Sequence, residues 1–329
     1  MLISVAMDSS TYPRLVGDVG GTNARFAWLA APGAPLSDVA TLRCADHATL
    51  QDAMQHYMRQ AARDRPRWCG IGIANPVTGD LVHMTNHHWS FSIEGVRQSL
   101  GLERLLVIND FTALALSLPA LAVDELRRVG GGAAVAAAPV GLLGPGTGLG
   151  VSGLIPAGGA GKLVPLNGEG GHVTLAATDA LEEAVIARLR SRFGHASAER
   201  ALSGPGLVNL YRSLCEVHGV PMRPLGPAEI TADAAGAADA QCVQALDLFF
   251  SFLGNVAGNL ALSLGARGGV YIGGGIVPRL GDAIERSRFR AQFEAKGRFA
   301  EYLRAIPTQV VQARVSPALL GAARALDDL

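Results

Sequence analysis

Residues 15–25 read LVGDVGGTNAR, a short apolar stretch that carries one acidic residue and runs directly into two glycines. Leu15 and Val19 are typical of a buried β-strand, and Gly20 and Gly21 permit backbone angles that side chains forbid. The stretch therefore predicts a strand that ends in a tight turn.

The residues around this turn are suited to binding a charged ligand. Backbone N–H groups, the Thr22 hydroxyl and the Asn23 amide can converge on an anion, while Asp18 can hold a metal ion or a water bound to it. An ordinary hairpin remains the alternative, because a Gly-Gly pair between two strands needs no ligand.

A second glycine turn, GPGTGLG, occupies residues 144–150 and has apolar residues on both sides, as two strands joined by a turn would have. Gly146, Thr147 and Gly148 can approach phosphate oxygens without a Cβ in the way. The segment matches neither the GxxxxGK[ST] phosphate loop nor the spacing of a Rossmann site, which disfavours dinucleotide binding.

A third glycine cluster follows the short apolar stretch GGVYI, where Gly273, Gly274 and Gly275 occur in succession. A flat purine can lie against such a surface. A plain turn from strand to helix explains these glycines almost as well.

Two further segments carry polar side chains that can act on a substrate. In LLVINDFTALAL, Asn109 and Asp110 follow an apolar strand, the position at which α/β folds bind ligands, and Asp110 can take a proton from a hydroxyl group. The alternative is that Asp110 caps the next helix. In NGEGGHVTL, Glu169 and His172 lie on a glycine-rich loop whose spacing differs from HExxH, so a hydroxyl-rich ligand fits better than a metal.

Composition limits the classes of partner. The chain has 329 residues with 28 basic and 28 acidic side chains, so no broad field attracts nucleic acid or an anionic membrane. Its four cysteines are scattered without CxxC pairs, which favours the cytoplasm. Residues 1–13 lack the basic start of a secretory signal and are expected to be a loose leader, and the apolar segment 245–266 is expected to be a core helix.

The order of strand and helix patterns predicts an α/β protein of two domains. Strands are expected near residues 14–19 and 25–30 and in WCGIGIANPV and LLVIND, and helices over 48–63, in LEEAVIARLRSRFG, over 240–264 and in PALLGAARAL. We place the small domain at residues 14–118 plus 309–329 and the large domain at 119–308.

These segments, taken together, resemble bacterial glucokinases of the actin-like ATPase superfamily. The resemblance extends from about Leu15 to the C-terminal helix and rests on segments that occur in this order: VGDVGGTNAR, GIANPVTGD, MTNHHWSF, VINDFTALA, GPGTGLGV, GEGGHV, HASAERALSGPGLVNLY, IGGGIVPR and FEAKGRFAEYL. The cysteine-rich zinc motif of the related repressor and kinase group is missing, which indicates the zinc-free branch.

The resemblance implies a two-domain actin-like ATPase (ribonuclease H-like) fold, each domain built on a five-stranded mixed sheet, with ATP and sugar in the interdomain cleft. It implies transfer of the ATP γ-phosphoryl group to the 6-hydroxyl of D-glucose, the first step of glycolysis, by a cytoplasmic homodimer. DVGGTN would be the first phosphate loop, GTGLG the second and GGGI the adenosine motif.

The resemblance also implies roles for single residues. Asp18 would lie near Mg²⁺, through water, and Asp110 would be the general base. The glucose contacts would be Asn109, Asp110, Glu169, His172 and Glu199, with Asn86 nearby. GPGTGLG lacks the acidic residue that many actin-like ATPases place before the second turn, so metal binding would depend mainly on Asp18.

Three alternatives stay open. A related kinase could act on another hexose, and an actin- or chaperone-like ATPase would use the glycine turns but leave NDF, GEGGH and SAER unexplained. A sugar-responsive regulator would need a DNA-binding helix pair, for which about 14 residues before the first strand are too few.

Overall fold

The computed structural model describes residues 9–158, 162–313 and 315–328. Residues 1–8 of the expected leader, and residues 314 and 329 of the predicted small domain, lie outside this range. The chain divides into two compact units, one formed by the segment up to Ala122 together with the segment from Ala313, and the other by Val123–Gln312.

The first unit is a mixed sheet with helices. Its elements are β1 (Arg14–Val19), β2 (Asn23–Leu29), β3 (Ser37–Arg43), α1 (Leu50–Gln60), β4 (Trp68–Ile73), β5 (Leu81–His83), β6 (Ser90–Ser92), α2 (Ile93–Ser99), β7 (Arg104–Asn109) and α3 (Asp110–Ser117).

The main sheet of this unit has the order β3-β2-β1-β4-β7. β1 pairs antiparallel with β2 and parallel with β4, which pairs parallel with β7. Val19, Ile73 and Asn109 occupy matching register positions, so the carboxyl ends of these three parallel strands are level.

The second unit contains β8 (Leu126–Gly130), β9 (Val140–Pro145), β10 (Leu149–Pro156), β11 (Leu163–Pro165), α4 (Ala180–Phe193), α5 (Gly204–His218), α6 (Pro227–Ala235), α7 (Ala240–Leu264), β12 (Val270–Ile272), α8 (Ala283–Arg286), α9 (Phe289–Glu294), α10 (Ala300–Arg304) and β13 (Thr308–Val311). The chain then enters α11 (Pro317–Asp328), which packs in the first unit against α3, β1 and β4.

The sheet of the second unit has the order β11-β10-β9-β12-β13-β8. Its first five positions repeat the first sheet, because β9 pairs antiparallel with β10 and parallel with β12, which pairs parallel with β13. The implied five-stranded sheet needs one correction here: β8 adds a strand, antiparallel to β13.

The units divide a few residues later than the boundaries placed at 118 and 308. A boundary at 308 would cut into β13, which is hydrogen-bonded to β12 and β8 and therefore belongs to the second unit as a whole. The predicted α/β class is confirmed, and so is each of the predicted strands and helices, with ends that coincide or differ by at most four residues.

Helix α7 is long and apolar enough to cross a membrane, yet 67% of its most apolar window is buried inside the protein. Leu248, Phe249 and Phe252 pack in the main core of the second unit, and the interpretation of this segment as a core helix is confirmed. Asp239 caps the helix start, and Gly265, in the left-handed conformation, ends it.

Candidate functional site

The first glycine turn joins β1 to β2. The Gly20 N–H donates to the Asn23 carbonyl at 2.9 Å, and the Cys44 N–H donates to the Thr22 carbonyl at 2.9 Å, so two hydrogen bonds fix the turn. Thr22 is exposed, which leaves its side chain accessible to a ligand. A Cβ on Gly21 would come within 2.9 Å of the Asn86 backbone oxygen, so only glycine fits.

The structure therefore places Asn86, a predicted sugar contact, directly against the first glycine turn. Its neighbour Thr85 is held by Asn75, whose side-chain oxygen accepts from the Thr85 backbone N–H at 3.0 Å and from the Thr85 hydroxyl at 2.8 Å. Asn75 thus stabilises the loop that carries Asn86.

Asp18 lies one residue before the end of β1 and is mostly buried. Its Oδ2 atom accepts from Arg25 Nη1 at 3.1 Å and from the Ser316 hydroxyl at 2.6 Å. Arg25 is its cross-strand partner on β2, whereas Ser316 precedes α11 and is 298 positions away in the chain. We predicted neither partner from the sequence; the hairpin register could have indicated Arg25, but no local signal points to Ser316.

Asn109 and Asp110 lie where β7 ends and α3 begins. The Asn109 side chain caps α3 by accepting from the N–H groups of Phe111 at 2.8 Å and Thr112 at 3.2 Å. The Asp110 Oδ1 atom accepts from the same Phe111 N–H at 2.9 Å. The helix therefore has its cap in Asn109, and Asp110 is the first residue of the helix, half-buried at the carboxyl edge of the sheet.

Asp18 and Asn109 share this edge. Because neighbouring strands lie about 4.8 Å apart, the ends of β1 and β7 are separated by roughly 10 Å, with β4 between them. β4 carries Gly72 here, and a Cβ on Gly72 would lie 3.5 Å from the Asp110 Cα, so the first turn of α3 packs directly on the strand.

The second glycine turn joins β9 to β10 in the other unit. The Gly146 N–H donates to the Gly148 carbonyl at 2.8 Å, and Thr147 is exposed at the tip. A Cβ on Gly146 would meet no atom within 4 Å, so space for a ligand adjoins the backbone here.

The three consecutive glycines pack against the strand that leads into this turn. The Gly273 N–H donates to the Leu143 carbonyl at 2.8 Å, and the Ile276 N–H to the Pro145 carbonyl at 3.2 Å. Gly274 has φ +76°, and a Cβ on Gly144 would come within 2.5 Å of the Gly273 carbonyl carbon. Close backbone contact therefore requires glycine at Gly144 and Gly274, and it brings the third glycine cluster beside the second turn.

The loop with Glu169 and His172 packs on the start of β10. A Cβ on Gly171 would overlap the Leu149 carbonyl oxygen, and one on Gly170 would lie 2.8 Å from Val151. The His172 Nε2 and Glu169 Oε2 atoms are 4.0 Å apart, and the side chains are 59% and 58% exposed, so both are accessible to a ligand.

The segment that carries Glu199 adjoins the same loop. The Ala198 N–H donates to the Val173 carbonyl, and the Leu175 N–H to the Ala196 carbonyl, both at 2.9 Å. The Glu199 carboxylate accepts from the Leu149 N–H at 2.9 Å. In the second unit, the structure thus brings together the second turn, the glycine cluster, Glu169, His172 and Glu199.

Within the described ranges, the one group of acidic, histidine or cysteine side chains compact enough to hold a metal is Asp233, Asp239 and Cys242. Arg223 pairs with both carboxylates, at 2.8 Å and 3.1 Å, and so offsets part of their negative charge. Burial, together with Asp239, raises the pKa of Cys242 to about 11, which disfavours a thiolate ligand. This group includes no predicted site residue.

Comparison with known proteins gives one consistent result. A family profile described as Glucokinase matches residues 15–329. A glucokinase of Aromatoleum aromaticum is 57% identical over 97% of this chain and 96% of its own length. A glucokinase of Chromobacterium violaceum is 53% identical over 96% of this chain and 90% of its own length. The crystal structure of a glucokinase from an Antarctic psychrotroph superposes with a TM-score of 0.87 at 35% identity and covers 96% of this chain and 99% of that one.

Proposed function

This chain belongs to the glucokinase family, and we propose that the residues described above carry out the reaction of that family. The enzyme phosphorylates glucose with ATP, which yields glucose 6-phosphate and ADP. One observation carries the assignment of roles: Asn109 ends a parallel strand at the sheet edge that also holds Asp18, and Asp110 follows it as the first residue of α3.

Asp110 is the general base in this proposal. Its carboxylate accepts the proton of the glucose 6-hydroxyl as the oxygen attacks the γ-phosphorus, a role that needs a group fixed within hydrogen-bond reach. The Phe111 N–H fixes Oδ1 from within the chain. Asn109 supplies the helix cap and holds the adjoining backbone, so helix formation does not depend on the charge of Asp110.

The second unit supplies acceptors for the other sugar hydroxyls. Glu169, His172 and Glu199 offer carboxylate oxygens and a ring nitrogen, and a hexose presents several hydroxyl donors within a few ångströms. The backbone hydrogen bonds from Ala198 to Val173 and from Leu175 to Ala196 support this assignment, because they hold the segment that carries Glu199 beside the loop that carries Glu169 and His172.

The two turns bind the phosphates of ATP. Exposed Thr22 and Thr147 add hydroxyl donors to the backbone N–H groups of their turns. The glycines Gly273, Gly274 and Gly275 form the surface against which adenosine lies. Transfer of a phosphoryl group needs little covalent chemistry from the protein, so positioning and charge neutralisation provide most of the catalysis.

We propose that Mg²⁺ bound to ATP is held near Asp18. The donor set fits a water-mediated contact: Oδ2 already accepts from Arg25 and Ser316, which leaves Oδ1 as the oxygen to receive a metal-bound water. Mg²⁺ there would neutralise charge on the phosphates. Arg25 and Ser316 fix the carboxylate so that Oδ1 keeps one orientation.

The proposal is tested by ADP release from purified protein with ATP, Mg²⁺ and a panel of glucose, mannose, galactose and fructose. We expect release that requires a sugar and is fastest with glucose. Release without sugar would contradict the proposal, because it would indicate a plain ATPase. Faster release with another hexose would leave the kinase activity intact but would mean that the acceptor side chains of the second unit bind that hexose rather than glucose.

We also propose a cytoplasmic homodimer. Cys44, Cys69, Cys215 and Cys242 are free and buried, as expected in a reducing compartment. Light scattering on the protein as it elutes from a size-exclusion column measures its molar mass in solution. The expected value is about twice the 34.1 kDa of one chain. A mass of one chain would refute the dimer.

A further inference from the structure

Glu199 contacts the second glycine turn as well as the surface assigned to glucose. Its Oε2 atom accepts the Leu149 N–H at 2.9 Å, at the first residue after the turn. A Cβ on Gly148 would overlap Oε2 and lie 3.2 Å from the Glu199 Cδ. The carboxylate therefore packs directly under the turn.

The segment that begins at Glu199 also reaches the other side of the turn. The Gly204 N–H donates to the Gly146 carbonyl at 2.9 Å, and the Ser203 hydroxyl donates to the Glu199 carbonyl at 2.9 Å. Residues 199–204 thus bond to the turn at both ends. A shift of the Glu199 side chain would disturb the Leu149 end of the turn directly.

Glu169 offers a contrast within the same unit. It is 58% exposed, its nearest ionic partner is His172 at 4.0 Å, and no hydrogen bond joins its side chain to the turn in the part of the chain that the structure describes. Of the two carboxylates assigned to one sugar, it is therefore Glu199 that contacts the nucleotide turn.

We infer that Glu199 couples glucose binding to nucleotide binding: one carboxylate oxygen positions the second phosphate turn while the other accepts a sugar hydroxyl. This inference rests on the proposed function, because it takes Glu199 as a glucose ligand. Glucose that hydrogen-bonds to the Glu199 carboxylate alters the hydrogen bond that this carboxylate accepts from the Leu149 N–H. Nucleotide bound at the turn alters the same hydrogen bond and thereby the position of the carboxylate that binds glucose. By linkage, each ligand then alters the affinity of the other by the same factor.

The first test measures glucose binding by calorimetry without nucleotide. Gly148→Ala pushes the flexible end of Glu199 aside and removes no sugar ligand, so we expect it to weaken glucose binding about tenfold. Gly79→Ala is the matched control, because its Cβ meets no atom within 4 Å and Gly79 has no role in the proposed site, and glucose affinity should stay within about twofold. Equal affinities of the two variants would overturn the inference.

The second test measures glucose affinity with and without saturating ADP in Glu199→Gln and Glu169→Gln. We expect both variants to bind glucose more weakly, but only Glu199→Gln to lose the dependence on ADP. Weaker binding in Glu199→Gln with the ADP dependence retained would overturn the coupling and leave the sugar assignment intact. Unchanged glucose affinity in Glu199→Gln would instead refute the sugar assignment. This test also decides the matter if Gly148→Ala fails to fold.

Discussion

The substitution Asp110→Asn separates the catalytic role of this residue from a helix-capping role. Asparagine is as good a cap as aspartate, and the Asn109 cap remains in place. The new side chain also keeps an oxygen that can accept the Phe111 N–H now bonded to Oδ1 at 2.9 Å. A capping role for Asp110 therefore predicts almost no effect on the enzyme.

The general-base role predicts a large effect on the rate. Loss of a positioned proton acceptor lowers kcat by roughly 10²- to 10⁴-fold, which corresponds to about 2.7–5.5 kcal/mol of transition-state stabilisation. Loss of one negative charge in the first helical turn costs only about 0.3–1 kcal/mol of folding stability. The activity change should therefore greatly exceed the stability change.

The assay combines steady-state kinetics, glucose binding by calorimetry and urea unfolding. We expect kcat and kcat/KM to fall together while glucose affinity stays within a few fold, the signature of an interaction made in the transition state. Asp52→Asn is the matched control, because it removes a charge from the first turn of α1, a helix to which the proposal assigns no site residue. A kcat of Asp110→Asn within about threefold of wild type would refute the reasoning.

Three further outcomes are expected. Glu169→Gln keeps the shape of the side chain but removes its charge. This variant should raise the glucose KM far more than the ATP KM and narrow the preference for glucose over its epimers. Equal effects on both KM values would indicate a structural role for Glu169. Gly321→Ala should destabilise the protein by about 1–3 kcal/mol in urea unfolding, because the Cβ would overlap the Ala113 backbone, whereas Gly79→Ala, with no atom within 4 Å, should be neutral. Burial and the neighbouring His88 lower the pKa of His87 below its ordinary 6.5, so the unfolded chain binds a proton first and stability should fall as pH decreases below about 6.5. Urea unfolding at pH 7.5 and 5.5 should show that His87→Gln loses less folding stability between the two pH values than the wild type does. An equal loss of stability in the two proteins would refute the role of His87 in this pH dependence.

Local patterns predicted those parts of the site that depend on neighbouring residues. The apolar run before Asp18 and the glycines after it specify a strand and a turn, and the same argument applies to Gly146, Gly148 and Asn109. The resemblance to a family, rather than any local pattern, indicated Glu199 as a site residue. A carboxylate in a short loop has no periodicity that marks it.

The remaining contacts depend on parts of the chain that only tertiary packing brings together. The hydrogen bond from Ser316 to Asp18 spans 298 positions and exists because α11 packs on β1 and β4. The bond from the Leu149 N–H to Glu199 spans 50 positions, and β8 pairs with β13 from the opposite end of the second unit. Hydrophobic periodicity identifies which face of an element is buried, but not which distant segment covers it.

The repeated strand order explains why only one of the two glycine turns has an acidic residue. In each sheet, the first strand and its hairpin partner flank a turn, and Asp18 in β1 and Gly144 in β9 both lie one residue before the last paired position. At Asp18, which is paired with Gly72 of β4, the carboxylate has the room to bond to Arg25 and Ser316. Beside Gly144, the backbone of Gly273 and Gly274 fills that space, because a Cβ would come within 2.5 Å of Gly273. An acid in the second turn and the close approach of the glycine cluster therefore exclude each other. The second turn has the glycine surface proposed for adenosine, and the proposed metal contact is left to Asp18 in the first.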